Sequence, residues 1–175
     1  MKFHTVRKIV LTAILMTIVW SPALLSTVSA QGGPGGFPDL VSGLKNTPGC
    51  LGVETARTTS GKQVIFAWFE NKTAALTWYY SEMHQQAVHQ FFPSAPPRTP
   101  MPDIKDDGTP IMAIASLTMA PAGSNAQMPF SQIAIELYGP LPGGIALGGR
   151  FAPGTVKVPG LRDVPSSIVD GSTGK

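Results

Sequence analysis

The chain has only one cysteine, Cys50, and this scarcity removes several classes of protein at once. One cysteine cannot form an internal disulfide, so stability has to come from packing or from a partner subunit. The C-x-x-C-H sequence that attaches c-type haem covalently is absent, as are the G-x-S-x-G sequence of serine hydrolases and the H-E-x-x-H sequence of zinc peptidases. Covalent c-type haem attachment and the motif-defined hydrolases are therefore excluded.

Clustered positive charge is also missing from most of the chain. The full sequence has 13 Lys and Arg residues against 10 Asp and Glu residues. Three of the basic residues, Lys2, Arg7 and Lys8, lie at the N-terminus, and the 145 residues that follow position 30 are neutral overall. Since no basic patch remains there, we predict no nucleic-acid partner.

The first 30 residues have the pattern of a secretory signal peptide. A positively charged start precedes an apolar run over residues 9–20, and Val28-Ser29-Ala30 supplies the small residues of a cleavage site. The run is shorter than the roughly 20 residues of a membrane-spanning helix. We therefore predict a signal peptide over residues 1–30, export to the periplasm or the extracellular space, and no stable membrane span after cleavage. Retention of the segment as an anchor is the alternative.

Glycine and proline divide the remaining chain into one domain and two flexible ends. Residues 31–38 (QGGPGGFP) offer little to bury and are predicted to be a flexible leader. Residues 39–151 are predicted to be a single α+β domain, with a stiff proline-rich loop over residues 93–110. Residues 152–175 are rich in Pro, Gly, Ser and Thr and are predicted to be a disordered tail.

The most informative stretch is residues 48–92. Residues 50–58 and 63–69 have the apolar and β-branched patterns of strands, and Ser60-Gly61 supplies a turn between them, which predicts a hairpin. Elsewhere in the domain, the patterns predict a short helix over residues 40–45 and further strands over residues 111–119, 128–138 and, more weakly, 145–151.

A single long helix is predicted after the hairpin. Asn71 is a favoured N-cap residue, and apolar residues recur at three- and four-residue spacing from there to about Phe92. On such a helix Tyr80 belongs to the buried stripe, His84 lies on the shoulder of that stripe, and Trp78 lies near the opposite side. A tryptophan on the solvent side indicates a second packing surface, such as a subunit contact.

A group of features recurs in a fixed order over residues 48–92: Pro48-Gly49 before a Leu-Gly-Val-Glu strand, Trp68 late in the next strand, and Ala74-Ala75, Trp78, Ser81 and His84 in the helix. With these features, residues 48–92 resemble the antibiotic biosynthesis monooxygenase-like family. The resemblance implies an α+β fold with a ferredoxin-like antiparallel sheet, two helices, and assembly of a homodimer as a dimeric α/β barrel. The family's first strand has no counterpart here, because its place falls on QGGPGGFP, and we expect residues 132–138 to replace it in the sheet.

The resemblance also implies a small-molecule pocket between sheet and helix. His84 would act there as a catalytic base, since its near-neutral pKa suits proton removal from an acidic phenol or enol. Trp68, Trp78 and Tyr80 would form the substrate-binding surface. The leading prediction is thus an exported protein that binds a small hydrophobic or aromatic molecule, with cofactor-independent monooxygenase activity as its catalytic form.

Other functions stay open. A histidine at a core edge can simply be hydrogen-bonded structure, and the protein would then be a non-catalytic exported binding or assembly module whose loop and tail contact a protein partner. A third reading is non-covalent haem binding through His84 or His89. A metal site formed by both histidines is disfavoured, because residues five apart do not share a helix face.

Overall fold

The computed structural model describes residues 39–125 and 128–168. The predicted signal peptide and leader lie outside these ranges. None of the helices in the described ranges is long and apolar enough to cross a membrane. The elements are α1 Leu40–Lys45, β1 Cys50–Arg57, β2 Gln63–Phe69, α2 Lys72–Tyr79, α3 Glu82–Phe91, β3 Ile111–Met119, β4 Phe130–Tyr138, β5 Ile145–Leu147, β6 Arg162–Val164 and a 3-10 helix, Ser166–Ile168.

The main sheet has four strands, and their order in the sheet, β1-β2-β3-β4, is their order along the chain. All three neighbouring pairs are antiparallel. The α+β class and the antiparallel sheet are therefore confirmed. The helices and the proline-rich loop return the chain to the end of β2, so that Ile111 at the start of β3 pairs with Phe69. Consequently β3 takes the place beside β2, and residues 132–138, which we expected there, belong to the edge strand β4.

The two faces of the sheet follow from strand alternation. One face of β2 carries Ile65, Ala67 and Phe69 and is covered by the helices; we call it the helix face. The other face of β2 carries Val64, Phe66 and Trp68, and we call it the outer face. Cross-strand pairing extends both faces over the neighbouring strands, so that every sheet residue belongs to one face or the other.

The core on the helix face is built around Phe69, whose side chain is only 1% exposed. Ala74 and Ala75 at the start of α2 pack against it. Gly49, which precedes β1, has a φ of 78° and lies so close to α2 that an added Cβ would be 2.5 Å from the Cβ of Ala74. A side chain at position 49 is therefore incompatible with both the backbone conformation and the close approach of the helix.

The predicted long helix is two helices, and this is a correction. Tyr80 is the C-cap of α2, and Ser81 is the N-cap of α3, with its hydroxyl accepting a hydrogen bond from the backbone N–H of His84 at 3.3 Å. Serine competes well for N-cap positions, so the break is stabilised locally. The break also changes which side chains are buried. Tyr80 is 60% exposed rather than part of the buried stripe, whereas Trp78 is half-buried against the core.

The described part of the predicted disordered tail, residues 152–168, is packed, which is a second correction. Val156 is only 4% exposed, and β6 pairs in parallel with β5. Just before this part, the Phe151 ring contacts Phe66 and Trp68 on the outer face. Pro153 lies against Gly52, where an added Cβ would be 2.4 Å from its Cγ. Composition predicted disorder, but the outer face of the sheet offers Phe151, and β1 offers Pro153, a surface to contact.

Candidate functional site

A cavity of about 400 Å³ lies between the helix face of the sheet and the helices. Alternate residues of β2, β3 and β4 form its floor, and small side chains occupy the middle: Ala67, Ala113 and Ala115. Ala75 and Ala87 contribute equally small side chains from the helices. These alanines leave unfilled the space that larger apolar residues would occupy. The volume falls within the range of about 300–1,000 Å³ that is typical of small-molecule sites.

The proline-rich loop forms one wall of the cavity through Pro100 and Met101. Met101 has a φ of 53° and is the only non-glycine residue of the described ranges with a positive φ. The loop is held against α2 by two hydrogen bonds. The Lys72 ammonium donates to the carbonyl of Ile104 at 2.6 Å, and the Thr73 hydroxyl donates to the carboxylate of Asp106. The loop wall is therefore fixed to α2, the helix that also contributes Ala75 and Trp78 to the cavity surface.

His84 is the one residue with a titratable nitrogen on the cavity surface. It lies in the first turn of α3, directly after the Ser81 cap, and packs against the rings of Trp78 and Tyr79. Its Nδ1 is 2.8 Å from the carbonyl oxygen of Tyr79. The side-chain amide of Gln85 donates to the same carbonyl at 2.5 Å. The break between α2 and α3 thus leaves a main-chain carbonyl that both side chains use.

The hydrogen bond at Nδ1 determines the tautomer of His84. A carbonyl oxygen can only accept, so Nδ1 must carry the proton, and the lone pair of a neutral ring is then on Nε2. Burial lowers the pKa of His84, an effect that the bond to the Tyr79 carbonyl partly opposes. The ring is therefore neutral at neutral pH. Among the described residues the ring makes its hydrogen bond through Nδ1, which leaves Nε2 available as an acceptor for a molecule in the cavity.

The residues predicted for the site divide between three locations. His84 and Trp78 line the cavity. Tyr80 does not, since the helix break turns it to solvent, where it is 60% exposed. Trp68 lies on the outer face, 3% exposed, with its ring 5.0 Å from that of Phe151. Strand alternation places Trp68 on the face opposite to that of its neighbour Ala67, so the Trp68 side chain does not line this cavity.

The remaining candidate residues do not join the cavity. His89 is exposed on α3, so it cannot act with His84 on one ligand in the cavity. The Cys50 thiol donates to the Gly52 carbonyl, with Sγ 3.6 Å from the oxygen, and burial raises its pKa, so it is a protonated thiol rather than a nucleophile. Within the described ranges, His, Cys, Asp and Glu form no group of three that could hold a metal ion.

Sequence reasoning missed the loop wall and the role of β4. Nothing in the spacing of the prolines indicates that Met101 turns inward, because that position depends on the tethers from α2. On β4, the alternation of Ile133, Ile135 and Leu137 was visible, and it did signal a buried face. These three residues line the cavity, yet they remain 39%, 61% and 41% exposed. The cavity is therefore open at its β4 side.

No family model, no curated protein and no solved structure matches the chain. The family resemblance of residues 48–92 consequently rests on the sequence features given above, and the site is interpreted from its own geometry.

Proposed function

We propose that the protein binds a small hydrophobic or aromatic molecule in the cavity between the helix face and the helices, and that Nε2 of His84 accepts a hydrogen bond from a hydroxyl group of that molecule. The observation that carries this proposal is an apolar cavity with one neutral nitrogen acceptor on its surface. Benzene occupies a protein cavity of about 150 Å³. A cavity of about 400 Å³ therefore has room for a molecule of two or three fused rings.

The chemistry of the cavity surface narrows the class of ligand. None of the lining residues is Lys, Arg, Asp or Glu. A carboxylate or phosphate placed there would lose its hydration without gaining a counter-charge, which is costly. A phenol or enol loses far less, because its single O–H group can donate to Nε2 of His84. The favoured ligand is therefore uncharged, mostly apolar and equipped with one hydroxyl group.

If the protein is an enzyme, the proposed reaction is oxygenation of the bound phenol or enol. Nε2 would remove the hydroxyl proton, and the resulting phenolate or enolate would pass an electron to O₂, the co-substrate of a cofactor-independent monooxygenase. However, the lowered pKa that keeps His84 neutral also makes it a weaker base. Binding is thus the better supported function, and turnover is expected only with hydroxyl groups that are unusually acidic.

The proposal extends to the type of protein. We propose an exported homodimer of the antibiotic biosynthesis monooxygenase-like, ferredoxin-like type, working in the periplasm or outside the cell without a cofactor. The N-terminal sequence pattern and the matching residues of positions 48–92 support it. The four-stranded antiparallel sheet with helices on one face is compatible with that fold.

The proposal is tested by calorimetric titration with 1-naphthol and with its methyl ether, 1-methoxynaphthalene. The two compounds are similar in shape, but only naphthol can donate to Nε2. We expect naphthol to bind about tenfold more tightly, as one net hydrogen bond of roughly 1.4 kcal/mol would give. In His84→Phe both compounds should bind equally weakly, whereas the exposed control His89→Phe should keep the preference.

If neither compound binds the unmodified protein, the proposed function is wrong. A Soret band on addition of haem, lost in His84→Ala, would instead favour haem as the ligand.

A further inference from the structure

Among the described residues, the edge of β4 that faces away from β3 has no neighbouring strand from Ser131 to Tyr138. β4 spans Phe130–Tyr138 and is the last strand of the sheet. It contains neither proline nor lysine, the residues that commonly protect an edge strand from pairing with another chain, and its register irregularity lies at the Met119 end. The exposed apolar residues Ile133, Ile135 and Leu137 lie along the same strand. We infer that a second copy of this chain pairs with β4, antiparallel and across a two-fold axis.

The two-fold symmetry restricts how the strands can align. An axis perpendicular to the sheet keeps the helix faces of both copies on the same side, so residues of one face always meet residues of the same face. Pairing centred on Ala134 places Ile133 opposite the partner's Ile135, and Gln132 opposite the partner's Glu136. Pairing centred on Glu136 would instead bring two carboxylates together, which is unfavourable.

Lys62 supplies the charge that selects the first alignment. Its ammonium group reaches across β3 and donates to the Thr118 hydroxyl at 3.3 Å and to the Gln132 side-chain oxygen at 3.1 Å. These residues form a row across the outer face that ends at the free edge of β4. In the alignment centred on Ala134, the next position in this row is the partner's Glu136, one strand spacing of about 4.8 Å away. The symmetry creates the pair of Lys62 with the partner's Glu136 twice.

The arrangement deepens the proposed function and rests on it, because the second copy completes the same cavity. On the helix face, the partner's Ile133 and the partner's Ile135 continue the apolar floor beyond β4, at the side where the cavity of a single chain is open. The two cavities then lie next to each other on one continuous sheet of eight strands. This edge-to-edge dimer differs from the dimeric α/β barrel that the family resemblance implies.

Sedimentation of the purified protein over a concentration series tests the inference, with the N-terminus identified by mass spectrometry. We expect a dimer. Lys62→Glu and Glu136→Lys should each raise the dimer dissociation constant about tenfold or more. Because the exchanged charges can pair again across the axis, the double variant Lys62→Glu/Glu136→Lys should return it toward the original value. A double variant that dissociates as readily as the single ones would overturn the proposed alignment.

A matched pair of variants tests the surface independently of the charges. Ile135→Lys places an ammonium group on the free edge, while Ile145→Lys places one on a similarly exposed residue of β5; the two side chains are 61% and 67% exposed. Only the first should yield a monomer, with unchanged circular dichroism in both. If Ile145→Lys alone dissociates the dimer, or if the unmodified protein is a monomer, the inference is wrong. The exposed face of β4 would then bind the leader, residues 31–38, or another protein. Naphthol titration of a monomeric unmodified protein would still show whether the ligand proposal holds by itself.

Discussion

The helix face and the outer face belong to the same strands, yet one borders a cavity and the other buries an aromatic cluster. On β2 the difference is a matter of volume: Phe66 and Trp68 point to the outer face, and Ala67 points between them to the helix face. On β3, Ala113 and Ala115 continue the small side. On β2 and the adjoining part of β3 both faces are mainly apolar, so hydropathy does not distinguish them there. The size of alternate side chains decides which face is filled and which retains space for a ligand.

The largest expected effect is the loss of stability on truncating a buried aromatic side chain of the outer face. Trp68→Ala deletes a side chain that is 3% exposed and in edge-to-face contact with Phe151, and we expect the free energy of unfolding to fall by about 3–5 kcal/mol. Urea denaturation measures the loss. Tyr80→Ala, at a 60% exposed position, is the control and should change stability by less than about 0.5 kcal/mol. Equal losses in both variants would mean that the outer face is not a packed surface.

A second substitution fills the cavity on the helix face. Ala115→Phe introduces a ring into the floor of the cavity and should abolish binding of 1-naphthol, while stability changes by less than about 2 kcal/mol because the space already exists. Calorimetry and urea denaturation give the two quantities. Ala56→Phe adds the same ring at an exposed position of β1 and should leave binding intact. Naphthol binding that survives Ala115→Phe would place the ligand elsewhere.

The smallest expected effect is a pH dependence confined to the helix face. Since burial lowers the pKa of His84, the unfolded chain binds this proton more readily than the folded one. The stability present above about pH 6.5, the ordinary pKa of histidine, should therefore decrease as the pH falls toward the folded-state pKa. Naphthol affinity should decline only at lower pH, as His84 of the folded protein becomes protonated, because a protonated Nε2 cannot accept. His84→Gln should remove both dependences; a decline that persists in that variant would have another origin.

Local chemistry was sufficient to predict the four strands of the main sheet and one helix cap. The bounds of β2 and β3 match the predicted ones, because β-branched and apolar residues fill them and turn residues end them. Asn71 does cap α2, with its side chain accepting from the Ala74 N–H at 2.9 Å. The helix break was missed because apolar spacing continues through Ser81, so only the cap geometry reveals it.

The site was predicted less well, for a different reason. His84 was placed correctly at the edge of the buried surface, but Trp68 was assigned to the cavity from the order of motifs rather than from the face it occupies. Contacts between distant parts of the chain were invisible to local patterns. The packing of Phe151 on the outer face and the turn of Met101 into the cavity wall both depend on such contacts.

The acceptor carbonyl of Tyr79 has an evolutionary consequence. His84 is oriented by a main-chain group, and every amino acid at position 79 carries the same carbonyl. Drift in the side chain of residue 79 therefore leaves the tautomer of His84 unchanged, as long as the break between α2 and α3 persists. The alanines and isoleucines of the cavity can vary to admit ligands of new shapes, while Nε2 of His84 remains a hydrogen-bond acceptor. Such a site can change its specificity in single steps without first losing the group that recognises a hydroxyl.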